Sequence, residues 1–229
     1  MNIATTLRYV NLQRNSPWDE RYYIMNDYSL MANKYGICLC AIMTPHGCEE
    51  IAERCDGLII PGSATNIHPS YYGGVLTEAP PVVDEYALDS KLMECFLKAG
   101  KPIFGVCGGH QAINVHLGGT LKKVNDVPAH ENGTSKRHEI NIKEGSFVYD
   151  VFKKTRATVN CYHGWEIDKL APCLTSVAET DDGVIEAVES REKHVFATQW
   201  HPEQSFHTGD PIENKFFENF IELCHECRR

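Results

Sequence analysis

Of the ten cysteines in this chain, Cys107 is the one set for chemistry, inside the run Gly105-Val106-Cys107-Gly108-Gly109-His110-Gln111. The apolar stretch 102–106 before it reads as a strand, and residues 108–117 read as a helix with Gly118-Gly119 past its end. A nucleophile on a sharp strand-to-helix turn projects beyond the sheet edge, and glycines at 105 and 109 remove side chains that would strike the tight backbone. The helix N-terminus adds free N–H groups and partial positive charge, which favours a thiolate. The chemistry implied is covalent catalysis by sulfur.

A cysteine hydrolase needs a base that takes the thiol proton and returns it to the leaving amine. Gln199-Trp200-His201-Pro202-Glu203 follows another strand candidate, residues 195–200. His201 suits the base, and Glu203 can accept a hydrogen bond from its second ring nitrogen, fixing the tautomer. Acyl transfer also needs donors for a developing oxyanion. The N–H of Gly108 can be one and that of Gly62, in Ile59-Ile60-Pro61-Gly62-Ser63, the other. By itself Pro-Gly reads as a strand-end turn.

The elements that must hold these residues alternate between strand and helix. Residues 3–9, 37–43, 57–60 and 102–106 read as strands, and 19–34 (capped by Asp19 and ended by Gly36), 48–54, 83–99 and 108–117 as helices. Tyr86, Leu88, Leu92, Met93, Phe96 and Leu97 form the apolar face of the third. The second half is richer in strands, at 138–142, 157–162, 175–179, 184–188 and 195–200, and closes with a helix over 212–224. The pattern predicts an α/β three-layer sandwich with a mostly parallel central sheet, in one domain spanning residues 1–229. Ligands bind such sheets beyond the carboxyl ends of the strands, where the loop after Ile60 and the turn after Val106 fall. The long segment 63–81, rich in Gly, Pro, Tyr and Asn, is a candidate functional loop.

The net charge of -9 argues against a nucleic-acid partner. No signal peptide or membrane-spanning apolar run is visible, so a cytoplasmic location and a reducing compartment are expected. Most of the cysteines are then small buried hydrophobes, with Cys38 and Cys40 expected in a core strand. Cys224 and Cys227 have CxxC spacing without a second pair, and His201, Glu203 and His207 lie close in sequence, but no four-ligand set is apparent. No metal or cofactor is expected.

The Pro61-Gly62 loop, the elbow and the 199–203 segment, in this chain order, resemble class I glutamine amidotransferases. Within them, Pro61-Gly62-Ser63-Ala64-Thr65-Asn66 with Tyr71-Tyr72-Gly73, Val159-Asn160-Cys161-Tyr162-His163 and the run 182–189 resemble the γ-glutamyl-γ-aminobutyrate hydrolase group, the C26 type of cysteine peptidase. The resemblance implies a flavodoxin-like fold with Cys107 as nucleophile, His201 as base, Glu203 as its orienter and Gly62 and Gly108 as oxyanion donors. It also implies that Gln111 holds the α-amino and α-carboxylate end of a glutamyl group, and that His163 lies near the substrate. The segment 124–137 is shorter than the group's loop there, and Cys161 stands where the group often has serine.

The function expected is cleavage of γ-glutamyl amide bonds through a glutamyl thioester, with Tyr71 and Tyr72 offering apolar faces to the amine half. Both tyrosines could equally pack the loop onto the domain. The alternatives are a glutaminase subunit feeding ammonia to a separate synthetase, and an inactive binding protein, against which the intact Cys107, His201 and Glu203 argue. No membrane partner is expected, and a homodimer is compatible with the sequence.

Overall fold

The computed structural model describes residues 1–13, 16, 19–74, 81–124 and 137–228. In chain order the strands are β1 (Asn2–Thr6), β2 (Arg8–Asn11), β3 (Glu20–Tyr23), β4 (Cys38–Ile42), β5 (Gly57–Ile60), β6 (Ile103–Val106) and β7 (Thr120–Lys123). They continue with β8 (Arg137–Ile142), β9 (Arg156–Asn160), β10 (Trp165–Lys169), β11 (Thr175–Glu179), β12 (Ile185–Ser190) and β13 (Val195–Thr198). The helices are α1 (Asn26–Tyr35), α2 (Cys48–Arg54), α3 (Glu85–Lys98), α4 (Gly108–His116), α5 (Phe147–Phe152), α6 (Ser205–Thr208) and α7 (Lys215–Glu226). Pro69–Tyr71 and Pro202–Gln204 are short 3-10 turns.

A nine-stranded sheet has the order β4-β1-β5-β6-β13-β12-β11-β8-β9. The first five strands pair in parallel and the rest antiparallel, so only β12 and β8 run against the other strands. This is the mostly parallel α/β fold expected, with β5, β6 and β13 as neighbours at its centre. Their side chains alternate between two cores. Leu58 and Ile60 pack with Leu92, Met93 and Phe96 of α3 and Ala112 and Ile113 of α4. Ile59 packs instead with Tyr28 and Met31 of α1 and Phe217 and Phe220 of α7. Both faces of β5 are buried, which is why its sequence is uninterrupted by polar residues.

Two expectations are corrected. Asp19 does not cap a helix. It closes a turn, accepting from the Ser16 N–H at 2.9 Å, and the chain returns as β3 against β2. Tyr22 and Tyr23 lie across from Tyr9 and Arg8, and the Tyr9 and Tyr22 rings meet edge-on at 5.8 Å, a cross-strand pairing that outweighs the helix signal. The helix begins at Asn26, and Gly36 ends it with φ 63° as predicted. Cys38 and Cys40 lie on the sheet's edge strand, where Cys38 is exposed and Cys40 half-buried. The separate antiparallel pair β7 and β10 and the short α5 carry too little periodicity to be seen in sequence. All ten cysteines are free thiols, and six are buried.

Candidate active site

Because β5, β6 and β13 are adjacent and parallel, the segments that follow them converge at one sheet edge. Cys107 leaves β6 with φ 51° and ψ −105°, a conformation that costs a non-glycine residue on the order of 1–3 kcal/mol. Two hydrogen bonds hold it there: its N–H donates to Thr198 O at 2.8 Å, and its carbonyl accepts from the Gln111 N–H at 3.1 Å. Gly109 is required by close approach, since a Cβ there would land on the Ile60 carbonyl oxygen. A Cβ on Gly105 would lie 2.7 Å from Gly109 O, so the elbow excludes side chains at both predicted positions.

The thiol is buried, and Sγ lies 3.7 Å from the Tyr162 carbonyl oxygen. His201 Nδ1 lies 2.7 Å from Glu203 Oε1, and Glu203 is itself buried. With Nδ1–H given to Glu203, Nε2 is the nitrogen left to exchange a proton. Burial favours a neutral imidazole, but Glu203 and Cys107 outweigh it and raise the proton affinity of His201 well above that of an ordinary histidine. A Cβ on Gly62 would lie 3.0 Å from His201 Cε1 and 3.5 Å from Cys107 Cβ, so this loop is packed against both. A Cβ on Gly108 would lie 2.9 Å from Ser63 N. The structure therefore groups Cys107, His201, Glu203, Gly62 and Gly108.

Gln111 is buried one turn along α4, and both hydrogens of its Nε2 go to protein acceptors, Trp165 O at 2.9 Å and Gln199 Oε1 at 3.1 Å. With Arg8, Ser63, Asp84, Tyr86 and Gly108 it lines a small cavity beside the elbow. Gln199 Oε1 also lies 3.3 Å from His110 Nδ1, and full burial lowers His110 to about 4, leaving it neutral.

His163 belongs to a buried cluster. Its Nε2 lies 3.2 Å from Glu186 Oε1, its Nδ1 3.2 Å from Trp165 O, and His138 Nε2 lies 3.4 Å from the same Glu186 oxygen. Burial pushes Glu186 up, but the two histidines outweigh it and hold the carboxyl at about 2. It is the carbonyl of the preceding residue, Tyr162, that meets the thiol. The Tyr71 hydroxyl donates to Asp84, and its ring packs edge-on against Tyr86 at 4.6 Å, with Tyr86 lining the cavity. Tyr72 packs against the core. Residues 75–80 and 125–136, the rest of the two loops expected to read the amine, lie outside the described residues.

Sequence reasoning assigned no role to Asn160. Its Nδ2 donates to His201 O at 2.8 Å, and its Oδ1 accepts from the His201 N–H at 2.8 Å, a two-point clamp on the histidine's backbone. The available signal was a polar residue ending the apolar alternation of β9. Arg8, which grips the Pro61-Gly62 loop, was also missed. Among the described residues no group of three or more His, Cys, Asp or Glu is arranged to hold a metal ion, and no helix is long and apolar enough to cross a membrane.

The chain is similar to known proteins. The Peptidase C26 family profile matches residues 3–203. The gamma-glutamyl-gamma-aminobutyrate hydrolase PuuD of Escherichia coli K12 is 31% identical over 201 residues, covering 80% of this chain and 78% of its own. Protein NtpR of Enterococcus hirae is 32% identical over 200 residues, covering 79% of this chain and 80% of its own. A crystal structure of a glutamine amidotransferase from Thermotoga maritima superposes with a TM-score of 0.64 at 16% identity, over 99% of this chain and 90% of that one. With the elbow, the His-Glu pair and the central parallel strands in place, the chain belongs to the peptidase C26 family of the class I glutamine amidotransferase superfamily and is a glutamine amidotransferase-like hydrolase.

Proposed function

We propose that the protein cleaves γ-glutamyl amide bonds, of γ-glutamyl-γ-aminobutyrate or a related γ-glutamyl amine, with Cys107 as nucleophile. The observation that carries this reading is the strained Cys107 beside a His201 whose Nδ1 is bound to Glu203 at 2.7 Å. Sγ attacks the γ-carbonyl carbon, and the carbonyl oxygen takes the electron pair within reach of the Gly62 and Gly108 N–H groups. His201 is favoured as imidazolium and protonates the departing amine from Nε2. Water, deprotonated by the now neutral His201, then attacks the thioester and releases glutamate with the thiol restored. No metal or cofactor enters these steps.

The glutamyl end is read by donors and acceptors around Gln111. Since both Nε2 hydrogens are engaged, its free contribution is the carbonyl oxygen, which suits a substrate α-ammonium group. The name and 31% identity of PuuD support the substrate class. The test is glutamate release from a panel of γ-glutamyl amides, glutamine included, with mass spectrometry of the trapped adduct. A glutamyl adduct on Cys107 and turnover of γ-glutamyl amines are expected. Equal cleavage of analogues lacking the α-amine would make the enzyme a general amidase instead, and turnover of glutamine alone would favour a glutaminase.

A further inference from the structure

Arg8 lies just beyond the end of β1, next to β5, and is buried, with 2% of its surface exposed. A buried guanidinium is costly unless it is hydrogen-bonded, and here each of its three nitrogens donates to an acceptor. Nε donates to Gly62 O at 3.1 Å and Nη2 to Pro61 O at 2.6 Å. Nη1 is paired with Asp89 at 3.0 Å and lies 3.8 Å from Glu85. The two carboxylates are fixed in turn. Thr6 donates its hydroxyl to Asp89 at 2.7 Å, and Glu85 accepts from the Tyr9 N–H at 2.6 Å and the Ser63 hydroxyl at 2.5 Å.

One planar fork thus holds two successive carbonyls of the loop. In an extended strand, successive carbonyls point to opposite sides. Here both are drawn to one side, toward Arg8. The peptide units are trans, and a trans unit carries its C=O and N–H in opposite directions. Gripping Pro61 O aims the Gly62 N–H away from Arg8, and gripping Gly62 O does the same for the Ser63 N–H. The loop packs against Cys107, His201 and Gly108. We infer that Arg8 is a positioning residue that sets the peptide planes of the oxyanion-binding loop, converging the Gly62 and Ser63 N–H groups on the negative charge formed when Cys107 is acylated. The assignment rests on the reading of Cys107 as the nucleophile. Lysine cannot substitute, because an ammonium lacks the planar fork that satisfies two carbonyls and a carboxylate together.

The experiment compares two reactions of the same thiol. Acylation of Cys107 by p-nitrophenyl acetate passes through an oxyanion; alkylation by iodoacetamide does not. Arg8→Lys keeps a cation against Asp89 and Glu85 so that the fold is retained, which thermal melting checks. The companion Asp89→Asn loosens the guanidinium while leaving an acceptor for Thr6. Removing an oxyanion donor costs roughly 100-fold or more in other hydrolases, so misaiming the loop in Arg8→Lys is expected to slow acylation about 10-fold or more. Alkylation should stay within about twofold, and Asp89→Asn should lower the acylation-to-alkylation ratio by a smaller factor. An unchanged ratio in either folded variant, or equal slowing of both reactions, would overturn the assignment. A wild-type protein whose Cys107 is never acylated would instead sink the nucleophile reading, and the role of Arg8 with it.

Discussion

At the residue scale, the site depends on a few atoms held against their own preferences. On the proposed covalent route the sulfur is indispensable, so Cys107→Ala should lower glutamate release by several orders of magnitude while the melting temperature stays near that of wild type. Glu203 is the first of the two groups that outweigh burial and raise the proton affinity of His201. Glu203→Gln should therefore lower that affinity and cut kcat by roughly 100-fold or more, with the basic limb of the kcat/KM profile moving to lower pH. A profile that shrinks without shifting would count against Glu203 as the group holding the proton. Asn160 acts one step further out. Asn160→Ala deletes both bonds to the His201 backbone and is expected to reduce kcat about 10- to 100-fold with little change in KM, whereas Asn160→Asp keeps only the acceptor and should fall between.

At the element scale, strand order brings the pieces together and glycine lets them touch. The elbow sits between β5 and β13 because β6 does, and α4 can start there only because Gly109 presents hydrogen to the Ile60 carbonyl. Gly109→Ala forces backbone against backbone, which no rotamer can relieve. A loss of about 3 kcal/mol or more is expected in chemical denaturation, or failure to fold. On the opposite face, α7 seats the strand that carries His201. Phe216 meets the fully buried Trp200 at 5.6 Å, and Phe217 meets Phe104 of β6 at 5.3 Å. Phe216→Ala should cost about 3–5 kcal/mol and lower activity through the position of His201, not through loss of any group that touches substrate.

At the scale of the whole molecule, the antiparallel half of the sheet works at a distance. β9 is four strands from β13 in sheet order, yet Asn160 at its end bonds to His201, so the twisted sheet must curl back over the elbow. Glu213 is buried as well, and burial raises it to about 7 although Arg137 lies 3.5 Å away. The unfolded chain releases this proton near the ordinary glutamate value and the folded chain only near 7, so between them the unfolded state binds fewer protons and stability falls as pH rises. Glu213→Gln should flatten that fall and add about 1–3 kcal/mol above pH 7, with little effect at pH 4, as measured by denaturation across pH. That Cys107, His201, Glu203, Gly62 and Gly108 would lie together was legible from sequence because local rules bind them. An elbow needs glycine neighbours, a base needs its orienter two residues away, and each follows an apolar strand. The helix expected after Asp19 failed because Tyr22 found its partner across a hairpin, a contact no helical window contains. Cys38 and Cys40 proved peripheral because an apolar strand does not announce whether it is central or at an edge. Asn160 and Arg8 lie 41 and 54 residues from the backbone groups they hold, so neither spacing nor periodicity could reveal them. The sequence by itself determined the elbow, the His-Glu pair and the strand-helix alternation, whose causes are local, and only the tertiary structure decided which distant side chains hold them, because hydrogen-bond partners across a sheet are set by strand order.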